Sequence, residues 1–298
     1  MFSLVGPLSS GAVRTIVHAR GELTLDHCLV IGIVNRTPDS FYDGGRMDLE
    51  SAVRHSLQLV DEGAEVLDVG AIKAGPGEPV DEAEEFRRLI PLAAALADAT
   101  PVPVSVETAR HSVALAAIEV GAAIVNDVSE LADPKLAPVC AETGAALILM
   151  HHGGQIRGRP RHPEYPDVVE DVIGRWTELV EAAGAAGVDG GRIMVDPGLD
   201  FGKTTYHSLE LMARLDELTA LPWPVLVAPS RKDVVGESLG LPPDERLEGT
   251  LALVALSVAA GAAAVRVHDV RASVRVVRMT ETVLGHHDPV APLRGLWD

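Results

Sequence analysis

A single-domain (β/α)8 barrel (the TIM barrel) is the α/β fold this sequence predicts, and three observations carry the prediction. Eight short apolar runs recur along the chain, at residues 29–35, 64–70, 103–107, 124–129, 147–152, 193–198, 225–230 and 265–270. They are continuously apolar rather than alternating, as strands buried on both faces are. Helix-like stretches lie between them, and the mean interval of about 34 residues suits one β/α unit. Finally, a polar residue falls at or just past the C-terminal end of each run: Asn35, Asp68, Glu107, Asn126, His151, Asp196, Ser230 and His268. In a barrel that end is the face where sites form. An open doubly wound sheet is the rival, but its GxGxxG turn after the first strand is missing.

In chain order, residues 1–28 read as an N-terminal lead-in, 29–285 as the barrel and 286–298 as a C-terminal tail. The first run ends at Asn35 and enters a loop carrying Pro38, Asp39, Asp43, Gly44 and Gly45. Residues 49–61 place Val53, Leu57 and Val60 on one helical face. Residues 81–96 open with acids, as a helix N-terminus prefers, and 166–186 and 245–260 are similar. The longest apolar run, 251–265, is broken by Ser257 and Gly261 and is shorter than the roughly 20 residues of a membrane span. It reads as a buried helix entering a strand.

The chain has 298 residues, 47% of them hydrophobic, which is ample for one core. Its net charge of −18 repels phosphate backbones, so nucleic-acid binding is not expected. An anionic ligand would need a local basic pocket. Cys28 and Cys140 are far apart and lack His neighbours at metal-ligand spacing, so they read as reduced buried thiols. With no basic-then-apolar leader and no membrane span, the expected location is cytoplasmic.

The segment Asp196 to Lys203, DPGLDFGK, looks like a phosphate loop, yet only three residues separate Gly198 from Gly202 where a P-loop has four. A carboxylate such as Asp196 offers two acceptors to two adjacent donors, or caps the turn before Pro197. Asn126 could contact a ligand or satisfy loop backbone. Ser230-Arg231-Lys232 and Arg266-Val267-His268 cluster basic groups at one end, which reads as an anion site in a chain this acidic. The plainer alternative is a surface pair between Arg266 and Asp269. His286 and His287 lie in the tail and His152 in a loop, with no role expected. Gly153-Gly154 with Arg157, Arg159 and Arg161 forms a basic loop that either steers anions or is simply solvated.

The string LVIGIVNRTPDSFYDGGR at 29–46 closely resembles the first signature of the dihydropteroate synthases, and resemblance runs from about residue 29 to 270. That family joins a dihydropterin diphosphate to p-aminobenzoate in folate biosynthesis. The resemblance implies a pterin-binding barrel, a homodimer formed through helices, and Mg²⁺ held with Asn35. It implies that Glu107, Asn126, Met150, Asp196, Phe201 and Lys232 contact the pterin, that Ser230 lies near p-aminobenzoate or a sulfa-type analogue, and that Arg266 and His268 hold phosphate oxygens. The catalytic set it implies is Asn35, Lys232, Arg266 and His268.

The chain departs from the pattern at several points. The family has Asp at the position of Glu107, and one extra methylene in a close pocket costs about 1–3 kcal/mol. The family loop Asp-x-Gly-Gly-Glu-Ser-Thr-Arg-Pro-Gly is here DVGAIKAGPG, residues 68–77, so Ile72, Ala74 and Gly75 replace acid, threonine and arginine. Losing one group that stabilises the departing diphosphate costs about 2.7–4 kcal/mol of barrier. Lys73 is a point charge and no substitute for a bidentate fork. Asp200 replaces a glycine expected beside pterin and phosphate, and Arg36 replaces a small apolar residue. The expectation is a divergent paralogue with weak or absent synthase activity that keeps part of the pterin pocket. The alternatives are an active synthase using Lys73 and Arg36, a non-catalytic ligand-binding barrel, and a methyltetrahydrofolate-binding barrel.

Overall fold

The computed structural model describes residues 15–35, 48–72, 80–154, 162–292 and 294. An N-terminal hairpin, β1 (Thr15–His18) and β2 (Gly21–Thr24), precedes the barrel. Then follow β3 (Leu29–Asn35), α1 (Leu49–Asp61), β4 (Val66–Gly70), α2 (Glu82–Ala99), β5 (Val104–Glu107), α3 (His111–Glu119), β6 (Ile124–Asp127), α4 (Leu136–Thr143) and β7 (Ala146–Met150). The second half comprises α5 (Val168–Ala185), β8 (Ile193–Asp196), α6 (Thr205–Ala213), α7 (Leu215–Thr219), β9 (Leu226–Val227), α8 (Asp233–Leu239), α9 (Leu247–Ala259), β10 (Ala264–Val267) and α10 (Val270–Leu284).

All strands from β3 to β10 pair in parallel in the order β8-β7-β6-β5-β4-β3-β10-β9. A bridge between Val195 and Val225 joins β8 to the approach to β9 and closes the ring. This is the predicted (β/α)8 barrel. The run 251–265 is, as expected, a helix followed by a strand, α9 into β10. The last five strands end two or three residues short of expectation, and proline accounts for two of these ends. Pro197 stops β8 at Asp196, and Pro224 and Pro229 leave β9 two residues long, because proline cannot donate to the ladder.

The stretch expected as a lead-in supplies the hairpin, which covers the N-terminal end of the barrel. Ile16 and Leu25 bury themselves among Leu29, Ile31, Val66, Ile124, Ile148 and Met194. The turn residue Arg20 donates to the carbonyls of Ala97 and Gly121 at 3.2 and 3.1 Å, tying the hairpin to the ends of α2 and α3. With that end filled, the opposite end is left for polar groups. The ladder aligns Asn35, Gly70, Glu107 and Asn126 in one row across β3 to β6. One layer deeper, Asp68 stands opposite Ser105. Helices enter through acidic caps: Asp48, Asp81 and Asp167 accept the first free N–H groups of α1, α2 and α5.

At the filled end, His27 lies 2.6 Å from both Asp26 Oδ1 and Glu65 Oε1. The Glu65 bond, working against burial and aided by Asp26, raises its pKa to about 9. A raised folded-state value stabilises fully below the unfolded value near 6.5 and is lost as pH climbs through 9. Between pH 6.5 and 9.5 the wild type should therefore lose about 1–2 kcal/mol more than His27→Gln, after allowance for partial exposure. Urea unfolding at both pH values checks this, and an equal loss in both proteins refutes it.

Candidate functional site

The polar row at the C-terminal strand ends converges on Arg266 of β10. Its Nη2 donates to Glu107 Oε2 at 2.6 Å, and its Nε lies 2.6 Å from Asp68 Oδ2. Asp68 also accepts Ser105 Oγ at 2.5 Å and Asn126 Nδ2 at 3.1 Å. Burial opposes the charge of Arg266, but Asp68 and Glu107 outweigh it and leave its pKa raised. Burial pushes the Glu107 carboxyl above its ordinary value, and Arg266 limits the rise. Gly70 lies beside this cluster. A Cβ there would stand 3.4 Å from Asn35 Oδ1 and 3.8 Å from Glu107 Oε1, so a larger side chain would crowd both.

Asn126 does not satisfy loop backbone, one of its two expected uses. Its amide nitrogen is spent on Asp68, and its buried Oδ1 has no donor among the described residues. A buried acceptor left open costs about 1–3 kcal/mol unless a ligand fills it. Nor does Arg266 form a surface pair with Asp269. That carboxylate is taken by Arg231, whose Nε and Nη2 both donate to it at 2.9 Å. Arg231 is thus a brace between the β9–α8 turn and the start of α10.

His268 hangs just past β10. Its Nδ1 lies 2.9 Å from Ser230 Oγ and its Nε2 3.4 Å from Asn35 Nδ2. Burial, with Arg266 adding to it, lowers its pKa to about 4. It is therefore a neutral imidazole near pH 7, not the cation that would best hold phosphate.

Across the mouth lies the segment after β8. Gly198 N donates to Asp196 Oδ1 at 2.7 Å, so the carboxylate does cap the turn at Pro197. Burial raises the pKa of Asp196 against the pull of Lys232, and burial lowers that of Lys232 against Asp196 and Asp200. The Lys232 ammonium donates to Leu199 O at 2.8 Å and sits 5.0 Å from the centre of the Phe201 ring. Met150, buried at the end of β7, packs against Gly198. Gly198 and Gly202 are glycines for a structural reason. Both have positive φ, and a Cβ would come within 2.0 Å of His151 O or 2.3 Å of His152 O. Asp200, with φ 69°, turns to the start of α8 and accepts from Val234 N at 3.2 Å and Ser208 Oγ at 3.2 Å. It caps α8, at the position that the family resemblance sets beside pterin and phosphate.

A second polar network, largely unforeseen, lies behind this segment. Lys203 is buried, with Nζ bonded to His151 Nδ1 (2.8 Å) and to the carbonyls of His151, Gly198 and Phe201. Burial brings its pKa down to about 7 and, with Lys203 beside it, brings that of His151 to about 3. The neutral His151 then accepts at Nδ1 and donates from Nε2 to Asp171 at 2.8 Å. Glu130 joins Arg175 to the His152 backbone. A cavity of about 450 Å³ opens against Glu130, His151, Tyr165, Asp171, Arg175 and Glu178. Lys203 stood in plain view within DPGLDFGK, and Ser105 as a lone hydroxyl in an apolar strand. Their partners are distant in sequence.

Asn35 is the residue expected to hold Mg²⁺. Among the described residues no group of three or more His, Cys, Asp or Glu could hold a metal ion. Within the described residues the expected site amounts to one amide oxygen, whereas Mg²⁺ is commonly held by carboxylates or ligand phosphates. Arg36, Asp39, Asp43, Lys73, Ala74, Gly75, Arg157, Arg159 and Arg161 lie outside the described residues.

The chain matches the family described as pterin binding enzyme over residues 31–268. It is 46% identical over 278 residues to the inactive dihydropteroate synthase 2 of Mycobacterium tuberculosis, covering 91% of this chain and 87% of that protein. It is 42% identical over 266 residues to the dihydropteroate synthase of Bacillus subtilis, covering 87% and 91%. The crystal structure of Yersinia pestis dihydropteroate synthase with a sulfonamide drug complex superposes with a TM-score of 0.87 at 35% identity, covering 92% of this chain and all of that one.

Replacing Lys203 by Met would leave His151 Nδ1 and three carbonyls without their donor. Lys203→Met should lower stability by about 2–4 kcal/mol. The urea midpoint reports it, and an unchanged midpoint would remove Lys203 as the pin of this segment.

Proposed function

The chain belongs to the dihydropteroate synthase family of pterin-binding enzymes, and from that premise we propose that it is a divergent member that keeps a pterin pocket and turns over weakly or not at all. One observation carries the reading: the open, buried acceptor of Asn126, at the same barrel mouth as the buried Asp196 carboxylate and the Lys232 ammonium.

In this reading Asp196 accepts from the amino-pyrimidine edge, and Asn126 Oδ1 takes a further ring N–H. Lys232 donates to the ring carbonyl and nitrogen, with Phe201 and Met150 giving apolar contact. Ser230 borders the place of p-aminobenzoate or a sulfa-type analogue, in line with the sulfonamide on the Yersinia pestis relative. Binding so arranged supplies recognition without supplying catalysis.

The synthase reaction breaks the bond between the pterin methylene carbon and the diphosphate oxygen, forms a bond from that carbon to the aryl amine nitrogen, and releases one proton. Its main demand is charge stabilisation on the departing diphosphate. Here Arg266 already faces two carboxylates, His268 is neutral, and Gly75 replaces the family arginine. Mg²⁺ in this reading arrives with the diphosphate, supplying charge neutralisation, and belongs to the substrate. A working synthase would have to draw on Arg36 and Lys73 instead. The reading includes a cytoplasmic homodimer. Leu256, Met279 and Val283, exposed on α9 and α10, offer an apolar face for a second copy. None of the described helices is long and apolar enough to cross a membrane.

Titration calorimetry with a dihydropterin, beside a synthase assay with p-aminobenzoate and Mg²⁺, tests the proposal. Pterin binding is expected together with turnover about 10²-fold or more below that of an active family member. Turnover within about tenfold of one (about 1.4 kcal/mol of barrier) would overturn it. Asp196→Asn should weaken pterin binding by about tenfold or more, and unchanged affinity would remove Asp196 from the pocket.

A further inference from the structure

The position of the Glu107 carboxylate goes beyond loss of the diphosphate loop. Oε2 lies 2.6 Å from Arg266 Nη2, and Oε1 lies beside Gly70. Asp68 Oδ2 lies 2.6 Å from Nε of the same guanidinium, an ion pair out of line for a hydrogen bond. Arg266, Glu107 and Asp68 are all largely removed from water, with side-chain exposures of 15%, 12% and 1%. The planar guanidinium that suits a phosphate is thus already paired with two carboxylates of this chain. An aspartate at position 107 would withdraw its carboxylate by about 1.5 Å, to roughly 4 Å from Nη2 and outside hydrogen-bond range. The extra methylene is what lets residue 107 reach the arginine.

We propose that Glu107 is a specificity-determining residue, a built-in counter-ion that occupies Arg266 and restricts the site to pterins without a phosphate or diphosphate group. The proposal rests on the reading of this site as a pterin pocket. A diphosphate would have to displace Glu107 or lie beside a second anion in a buried setting, whereas a neutral, donor-rich bicyclic ring meets Asp196 and Asn126 without disturbing the pair. The ligand class is therefore an unphosphorylated pterin.

Three probes measured by calorimetry on the full chain test this: inorganic diphosphate, a 6-hydroxymethyl dihydropterin and its diphosphate ester. Glu107→Gln removes the charge at constant length, and Glu107→Asp removes the reach. Both variants should bind inorganic diphosphate about tenfold or more tighter than wild type, and the affinity of the ester relative to the unphosphorylated pterin should rise by about tenfold or more. If neither folded variant gains affinity for either diphosphate probe, the counter-ion role is overturned, although pterin binding in all three proteins would keep the wider reading intact. If the variants gain diphosphate affinity and no protein binds a pterin, the counter-ion role stands and the pterin reading falls. The melting temperature of each variant identifies a folding failure, in which case the other variant decides.

Discussion

A buried guanidinium held by two buried carboxylates organises the open end of this barrel. Arg266 on β10, Asp68 on β4 and Glu107 on β5 meet across the mouth, and Ser105 and Asn126 complete the set. Each charge is removed from water, so each is tolerated only because the others are present. Removing one would strand its partner in a low-dielectric interior at a cost of about 3–5 kcal/mol. The arrangement therefore fixes which side chains can point inward at these strand ends, and with them the size and charge of whatever space is left.

Burial sets the chemistry of the remaining groups. It moves Asp196 and Lys232 both toward neutrality and leaves His268 and His151 uncharged at physiological pH. Among the described residues such a mouth is rich in donors and acceptors and poor in free positive charge. That balance matches a neutral heterocycle better than a diphosphate, which needs fixed cations aimed at it. The segment from Asp196 to Lys203 shows the same economy. Its glycines allow close approach to the His151 and His152 backbone, and its lysine is spent on carbonyls, so the glycines and lysine that give the stretch its likeness to a phosphate loop serve packing.

The α/β barrel was legible because a strand buried on both faces must be continuously apolar and must end in something polar, and the chain repeats that pattern eight times. The run at 29–35 became β3 and 49–61 became α1 with the expected limits. Strand ends at Pro197 and Pro229 were overextended, because apolar composition continues where the ladder cannot. The hairpin at 15–24 was missed, since its alternating residues and small length carry a weak signal. At the site, the polar residue at each strand end could be read one by one. The Arg231 brace to Asp269, the cap made by Asp200 and the Lys203–His151 pair could not, because each joins residues that only closure of the ring brings within bonding distance.

By itself, then, the sequence determined the class of fold, the family and the roster of polar groups at the barrel mouth, since these follow from local patterning and motif spacing. Only the tertiary structure decided what those groups do to one another. Whether Arg266 is free for a ligand or engaged by Glu107 depends on a distance between residues 159 positions apart, and whether a histidine is charged depends on how much water reaches it. Distance and solvation are properties of the closed barrel, and a linear chain does not carry them.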